Sequence, residues 1–175
     1  LVDVYTGHAQ DAEAISEIAN WVIRDTLITF TTEEKTAEQL RAVIAEKGED
    51  YLVAELDGQV VGHAYYGSFR AGPGYRYSVE HTVHLSPVAH GRGIGRALMA
   101  ALEKRAVLNG KHVMLAGISS ANPDGIDFHA AIGFVEVGCL PEVGYKNGQW
   151  LDTVLMQKIL PQATNPHPDS ASKGG

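Results

Sequence analysis

Cysteine is almost missing from this 175-residue chain, where Cys139 stands alone. A single thiol cannot close an internal disulfide, which fits a reducing, cytoplasmic setting. Positive charge is short as well: 14 Lys and Arg stand against 21 Asp and Glu, a formal net charge of −7. Binding nucleic acid takes a basic face that neutralises phosphates, so no nucleic-acid partner is expected. No apolar stretch approaches the roughly 20 residues that span a bilayer, and no membrane partner is expected. The opening residues, Leu1-Val2-Asp3-Val4-Tyr5, lack the charged-then-apolar layout of a secretion signal. Internal repeats are absent. So are two common phosphate-binding signatures: no G-x-x-x-x-G-K-[ST] run occurs, and Arg96 stands where G-x-G-x-x-G needs its third glycine.

What is present suits one globular domain with a full core, since 45% of the residues are hydrophobic. The domain is read over residues 1–160. Residues 161–175, with Pro161, Pro166 and Pro168, are expected to form a loosely ordered tail.

Local signals set an order of elements. Residues 2–6 read as a strand, and Asp11 is placed to cap a helix carrying Ile15, Ile18, Val22 and Ile23 inward. Residues 27–31 form a β-prone link. Thr36-Ala37-Glu38-Gln39 has the form of a capping box, opening a helix with Leu40, Val43 and Ile44 inward and Gly48 at its end. Asp57-Gly58 joins strands 51–56 and 60–66 as a hairpin. A strand at 79–86 follows the break at Gly72-Pro73-Gly74, and a helix marked by Ile94, Leu98, Leu102 and Leu108 ends near Gly110. An apolar strand over 112–118 is expected parallel to the one before it, because a helix connects them. Asn122-Pro123-Asp124 supplies a cap, a proline at the first helical position and an acid in the first turn. Strands at 134–139 and 150–158 complete the order. Helices interleaved with a mixed sheet make the class α/β, or α+β, in one layered domain.

Chemistry concentrates where the strand Val79-Glu80-His81-Thr82-Val83-His84-Leu85 runs into His90-Gly91-Arg92-Gly93-Ile94-Gly95-Arg96. A strand, a glycine-rich turn and a helix start aim backbone N–H groups and a positive helix end at one spot, which suits a phosphate or pyrophosphate. Alternation places Glu80, Thr82 and His84 on one face of the strand, opposite the mostly apolar Val79, His81, Val83 and Leu85. That polar face reads as a cleft wall, since ligands in such sheets gather at strand carboxyl ends. His81 and His84 are three apart on a strand, point to opposite sides, and make no metal pair. Cys139 reads as a small core hydrophobe.

The glycine turn resembles the [Q/R]-x-x-G-x-[G/A] loop of the GNAT acetyltransferase superfamily. Glu80-His81-Thr82-Val83, Ala116-Gly117-Ile118 with Asn122, His129-Ala130-Ala131-Ile132-Gly133-Phe134, and the run Val143 to Asp152 narrow the likeness. Together they resemble the phosphinothricin and methionine sulfone/sulfoximine N-acetyltransferases. The resemblance implies a GNAT fold: a mixed, mostly antiparallel sheet whose central parallel pair splays around acetyl-CoA. It implies that Gly91, Arg92, Gly93, Ile94, Gly95 and Arg96 hold the pyrophosphate of coenzyme A. Val83, His84 and Leu85 meet the pantetheine arm in that picture, and Asn122 hydrogen-bonds it. Glu80 matches the proposed base, and Phe30, Arg70, Tyr75 and Arg76 the substrate-binding region. His90 departs from the usual Gln or Arg, and His84 from the commoner Tyr. His129 stands where many GNAT enzymes carry an acidic tyrosine. A homodimer is also implied.

The expected reaction is acetyl transfer from acetyl-CoA to the α-amino group of a small amino acid or analogue. Glu80 removes a proton directly or through one water, and His129 either serves the departing sulfur or is structural. Two other readings stand beside it: a protein or peptide N-terminal acetyltransferase, and a non-catalytic coenzyme A sensor.

Overall fold

The computed structural model describes residues 1–162, so most of the expected tail lies outside the described residues. Seven strands form one sheet in the order β1-β2-β3-β4-β5-β7-β6. They are β1 (Val2–Thr6), β2 (Tyr51–Leu56), β3 (Gln59–Ser68), β4 (Ser78–Leu85), β5 (Val113–Ser119), β6 (Val135–Lys146) and β7 (Gln149–Ile159). The helices are α1 (Ala12–Asp25), α2 (Ala37–Lys47), α3 (Ile94–Leu108) and α4 (Pro123–Ala131). The layered class and the parallel β4–β5 pair follow the expectation.

Strand alternation divides the core into two clusters. In β2, Leu52 and Ala54 join the α3 side with Leu98, Met99 and Leu102. Tyr51 and Val53 join the α1–α2 side with Ile15, Leu40 and Ile44. Both sheet faces are covered, which is why β2 reads as an unbroken apolar run. Each fully buried Leu or Ile contributes about 1.5–3 kcal/mol relative to exposure.

Capping chemistry sets the ends. Thr36 and Gln39 exchange hydrogen bonds as a capping box, at 3.1 and 2.9 Å. Asp57 and Gly58 take φ of 50° and 83°, the left-handed pair that a tight hairpin requires. Asp11 occupies the N-cap of α1, but its carboxylate turns back to accept from the His8 N–H at 2.8 Å and the Tyr5 hydroxyl at 3.1 Å.

Some expectations are corrected. Leu108 is 73% exposed, because helical spacing turns it outward and Ala106 takes the inward place. The β-prone link joins no sheet: residues 27–30 form bends. β6 runs on to Lys146, with register shifts at Glu136/Gly138 and Leu140/Gly144 that absorb its proline. Cys139 lies on that strand and is exposed, so it is not a core residue.

The splay of the central strands positions the site. β4 pairs with β3 along nearly its whole length, from Val79 to Leu85. Its parallel ladder with β5 covers only Ser78–Glu80 against Val113–Leu115. Beyond Glu80 the two strands part and open a wedge in the middle of the sheet.

Candidate active site

Two cavities meet at that wedge. The larger, about 490 Å³, lies beneath α1 and α2 and is lined by Glu80, Thr82, His63 and Gln39 among others. The smaller, about 330 Å³, runs along Gly91, Gly93, Ile94, Gly95 and Arg96 and against Phe128. Ile28, Val83, His84, Asn122 and His129 border both. The structure thus brings Glu80, His129, Asn122 and the end of β4 into one place.

Glu80 projects from the last rung of the β4–β5 ladder. Its carboxylate lies beside Gly117, where a Cβ would stand 3.0 Å from Oε1. Burial raises the carboxyl above its ordinary value. The group still lines the open cleft, so it holds a proton more readily than a surface carboxylate without being sealed from the cavity.

The glycine turn fits an extended anion. Gly91 and Gly93 take φ of 74° and 75°, with open space where a Cβ would sit. Gly93 is also the N-cap of α3, and no side chain caps that end. The first N–H groups of α3 are therefore free for a ligand. Gly95 matters for packing instead. A Cβ there would meet Phe128 at 3.2 Å and Leu85 at 3.3 Å, so its bareness lets α3 close on β4 and α4. His90 borders the same cavity from an exposed position, whereas Arg92 is exposed and does not line it. Asn122 caps α4 by accepting from the Gly125 N–H at 3.1 Å, which leaves its amide donors for the junction.

Four histidines form two pairs at the site. His81 is not a plain member of an apolar face: its Nε2 lies 2.9 Å from His129 Nε2. On the other side of β4, His84 stands opposite His63 of β3 in register. The Tyr51 hydroxyl is 2.7 Å from His63 Nδ1, while His63 Nε2 and His84 Nδ1 are buried with no partner among the described residues. Burial draws His84 down to about 4 and His63 well below its ordinary value. Both are neutral at physiological pH.

None of the expected substrate residues, Phe30, Arg70, Tyr75 and Arg76, lines either cavity. Arg70 lies over the Phe69 and Tyr75 rings, at 5.4 and 5.9 Å. Arg76 donates to the Pro73 carbonyl at 2.7 Å and lies over Tyr77. Phe30 packs on the bare backbone of Gly144, where a Cβ would run into its ring.

Local sequence reading missed Lys146. This buried side chain donates to the Thr26 carbonyl at 2.8 Å and the Thr29 carbonyl at 2.7 Å. Burial lowers its pKa. Gly144 and Lys146 together hold the 26–30 segment that supplies Ile28 to both cavities. The only signal was the Val143-Gly144-Tyr145-Lys146 run itself, which carried no indication of its partner 120 residues away.

Comparison with known proteins agrees with this geometry. The profile of the acetyltransferase (GNAT) family matches residues 15–134. The chain is 38% identical over 159 residues to the L-amino acid N-acyltransferase MnaT of Escherichia coli, covering 89% of this chain and 92% of that protein. It is 38% identical over 162 residues to the L-methionine sulfoximine/L-methionine sulfone acetyltransferase of Salmonella typhimurium, covering 89% and 93%. A phosphinothricin acetyltransferase from Sinorhizobium meliloti, solved in complex with acetyl-CoA, superposes with a TM-score of 0.86 at 31% identity, covering 97% of each chain. A splayed parallel pair, an uncapped glycine turn facing a cavity and a family match over most of the domain agree: this chain belongs to the GNAT acetyltransferase family.

Proposed function

We propose that this protein transfers the acetyl group of acetyl-CoA to the α-amino group of a small amino acid or amino-acid analogue, of the methionine sulfone, methionine sulfoximine or phosphinothricin type. The observation that carries the reading is the junction: a cavity walled by Glu80 meets a cavity walled by the glycine turn at Val83, His84, Asn122 and His129.

Bound acetyl-CoA supplies an activated acetyl thioester. The backbone of residues 91–96 holds its pyrophosphate, with Arg92 and Arg96 adding positive charge from the exposed side. Val83, His84 and Leu85 offer backbone groups beyond the end of the β5 ladder, and a backbone N–H near Leu85 polarises the acetyl carbonyl. The Asn122 amide donates to the arm. An α-amino group has a pKa of roughly 8 and arrives protonated. Glu80 accepts that proton, directly or through a water in the open cleft, while His129, whose two ring nitrogens are held by His81 and the Gly125 carbonyl, borders the cavity that takes the departing sulfur. Arg70 and Arg76, with Tyr75 beside Arg70, receive the carboxylate and second polar head, because the guanidinium fork matches such oxygens, and Phe30 on Gly144 adds a packing wall.

Two further parts complete the reading. β6 is an edge strand, and Val137, Leu140, Val143, Tyr145 and Trp150 expose a broad apolar face there, which a second copy of the chain covers. Sedimentation reporting only an 18.8 kDa species would sink that assignment. The cytoplasm suits the protein's single exposed thiol. No helix among the described residues is long and apolar enough to cross a membrane.

The test is thiol release from acetyl-CoA with a panel of amino acids, their sulfone, sulfoximine and phosphinate analogues, and short peptides. Turnover confined to the small substrates supports the proposal. Turnover confined to peptides makes the chain an N-terminal acetyltransferase, and binding without turnover makes it a sensor.

A further inference from the structure

His81 and His129 meet through their Nε2 atoms at 2.9 Å. The other nitrogen of each ring is also engaged. His81 Nδ1 lies 2.9 Å from the Leu115 carbonyl, and His129 Nδ1 lies 2.7 Å from the Gly125 carbonyl. A carbonyl oxygen only accepts, so both Nδ1 atoms carry hydrogen. A neutral imidazole has one N–H. Both Nε2 atoms are then bare when both rings are neutral, and two lone pairs face each other across a hydrogen-bond distance. Three hydrogen bonds need three protons, and the neutral pair holds two.

We propose that His81 and His129 act together as a one-proton reservoir, in which a single added proton sits between the two Nε2 atoms. The pair then bears one positive charge at the junction of the cavities. Its existence rests on ring geometry; its purpose rests on the acetyl-transfer reading, in which negative charge gathers on a departing thiolate sulfur. His129 borders both cavities and His81 the larger one, so the charge lies between the two reactants. His81 is thus a positioning residue, which supplies the acceptor that lets its partner hold the proton.

Burial works against that charge. It draws His81 down to about 3, with the nearby His129 adding to the effect and the Leu115 carbonyl opposing it. It lowers His129 as well, against the pull of the Gly125 carbonyl. The proton is therefore held loosely, and a second extra proton is excluded by repulsion between adjacent imidazolium rings. An arriving negative charge in the smaller cavity tips the balance toward uptake. Other titratable groups nearby are few. On β4, Glu80 and His84 flank His81 but project from the opposite strand face. On α4, Asp124 and Asp127 are exposed. β5 carries no titratable residue, and the Phe134 ring closes the remaining side at 5.4 Å from His81 and 5.2 Å from His129.

The experiment is long-range proton–nitrogen NMR on the whole chain labelled with ¹⁵N-histidine, titrated from acid to alkaline pH with and without coenzyme A. The reservoir requires both Nδ1 atoms to stay protonated at every pH. Both Nε2 signals should move together in one single-proton step, and coenzyme A should shift that step to higher pH. Hydrogen on one Nε2 with a bare Nδ1, or two independent steps, overturns the proposal. A step unmoved by coenzyme A overturns its link to the leaving sulfur.

Variants add a second arm. H81F should lower kcat about 10²-fold with KM for the amino acid changed less than about twofold, and should flatten the pH profile. H81Q returns an acceptor to His129 Nε2 and should recover part of the loss; equal damage from both variants counts against the proposal. If H81F does not fold, the wild-type spectra decide. Those spectra do not depend on turnover, so a failed substrate panel and a failed reservoir are told apart.

Discussion

The carboxylate of Glu80 rests against the bare α-carbon of Gly117, with 3.0 Å between Oε1 and the position a Cβ would take. The two residues stand on the parallel strands at the point where those strands begin to part. Gly117→Ala should therefore fold, since a carboxylate end can swing aside, but with Glu80 displaced. Stability should change by less than about 1 kcal/mol while kcat falls about ten- to a hundredfold. Equal losses of stability and activity would assign Gly117 to packing alone.

Glu80→Gln keeps the shape and removes the basicity. General base catalysis worth about 10²–10⁴-fold should disappear from kcat/KM near neutral pH and partly return at high pH, where the amine is already free. Stability should move the other way. Burial raises the Glu80 carboxyl, so the fold binds its proton more tightly than the unfolded chain does. The stabilisation is present below the ordinary carboxylate range and is lost as pH rises through the raised value. The melting temperature of the variant relative to the parent should therefore climb from acid to neutral pH. Unchanged activity and pH dependence would leave the cleft without an identified base.

Gly93→Val should weaken acetyl-CoA binding severely. Its φ of 75° suits glycine, and a β-branched side chain there strains the turn that aims the α3 amides. His90→Ala should do little, because the backbone makes the cradle. Calorimetry on both variants checks this, and equal damage would mean that the side chain at 90 carries the binding.

Removing both Arg70 and Arg76 should erase the preference for substrates bearing a carboxylate. A lost charge-assisted pair costs about 1.5–3 kcal/mol, or roughly ten- to a hundredfold in kcat/KM. A double variant, Arg70→Ala with Arg76→Ala, that still prefers methionine sulfone to its amide would remove the assignment.

Lys146→Met leaves the Thr26 and Thr29 carbonyls without their donor. The unmet acceptors should cost about 1–3 kcal/mol. Amide exchange should quicken over residues 26–31, and KM should rise more than kcat falls. Unaltered exchange in that segment would show that Phe30 on Gly144 is anchor enough.

Much of this protein was written in local sequence. The capping box at Thr36, the hairpin at Asp57-Gly58, the cap at Asn122 and the glycine turn each depend on residues within a few positions of one another, so short-range chemistry decides them. Glu80 and the turn could be marked as site residues for the same reason, since strand alternation and a strand–turn–helix run are local patterns. What stayed hidden is long-range. The reach of β6 to Lys146 depends on pairing with β7 through two register shifts, which no period-2 pattern records. The exposure of Cys139 follows from that edge position. His81, one residue past the end of the β4–β5 ladder, meets His129 across 48 residues, and Lys146 reaches Thr26 across 120. Sequence by itself determined which backbone segments form and which chemical groups they carry. Only the tertiary structure decided which of those groups share a hydrogen bond, a carbonyl or a cavity wall, because such pairings are set by the splay and register of the sheet and not by neighbours along the chain.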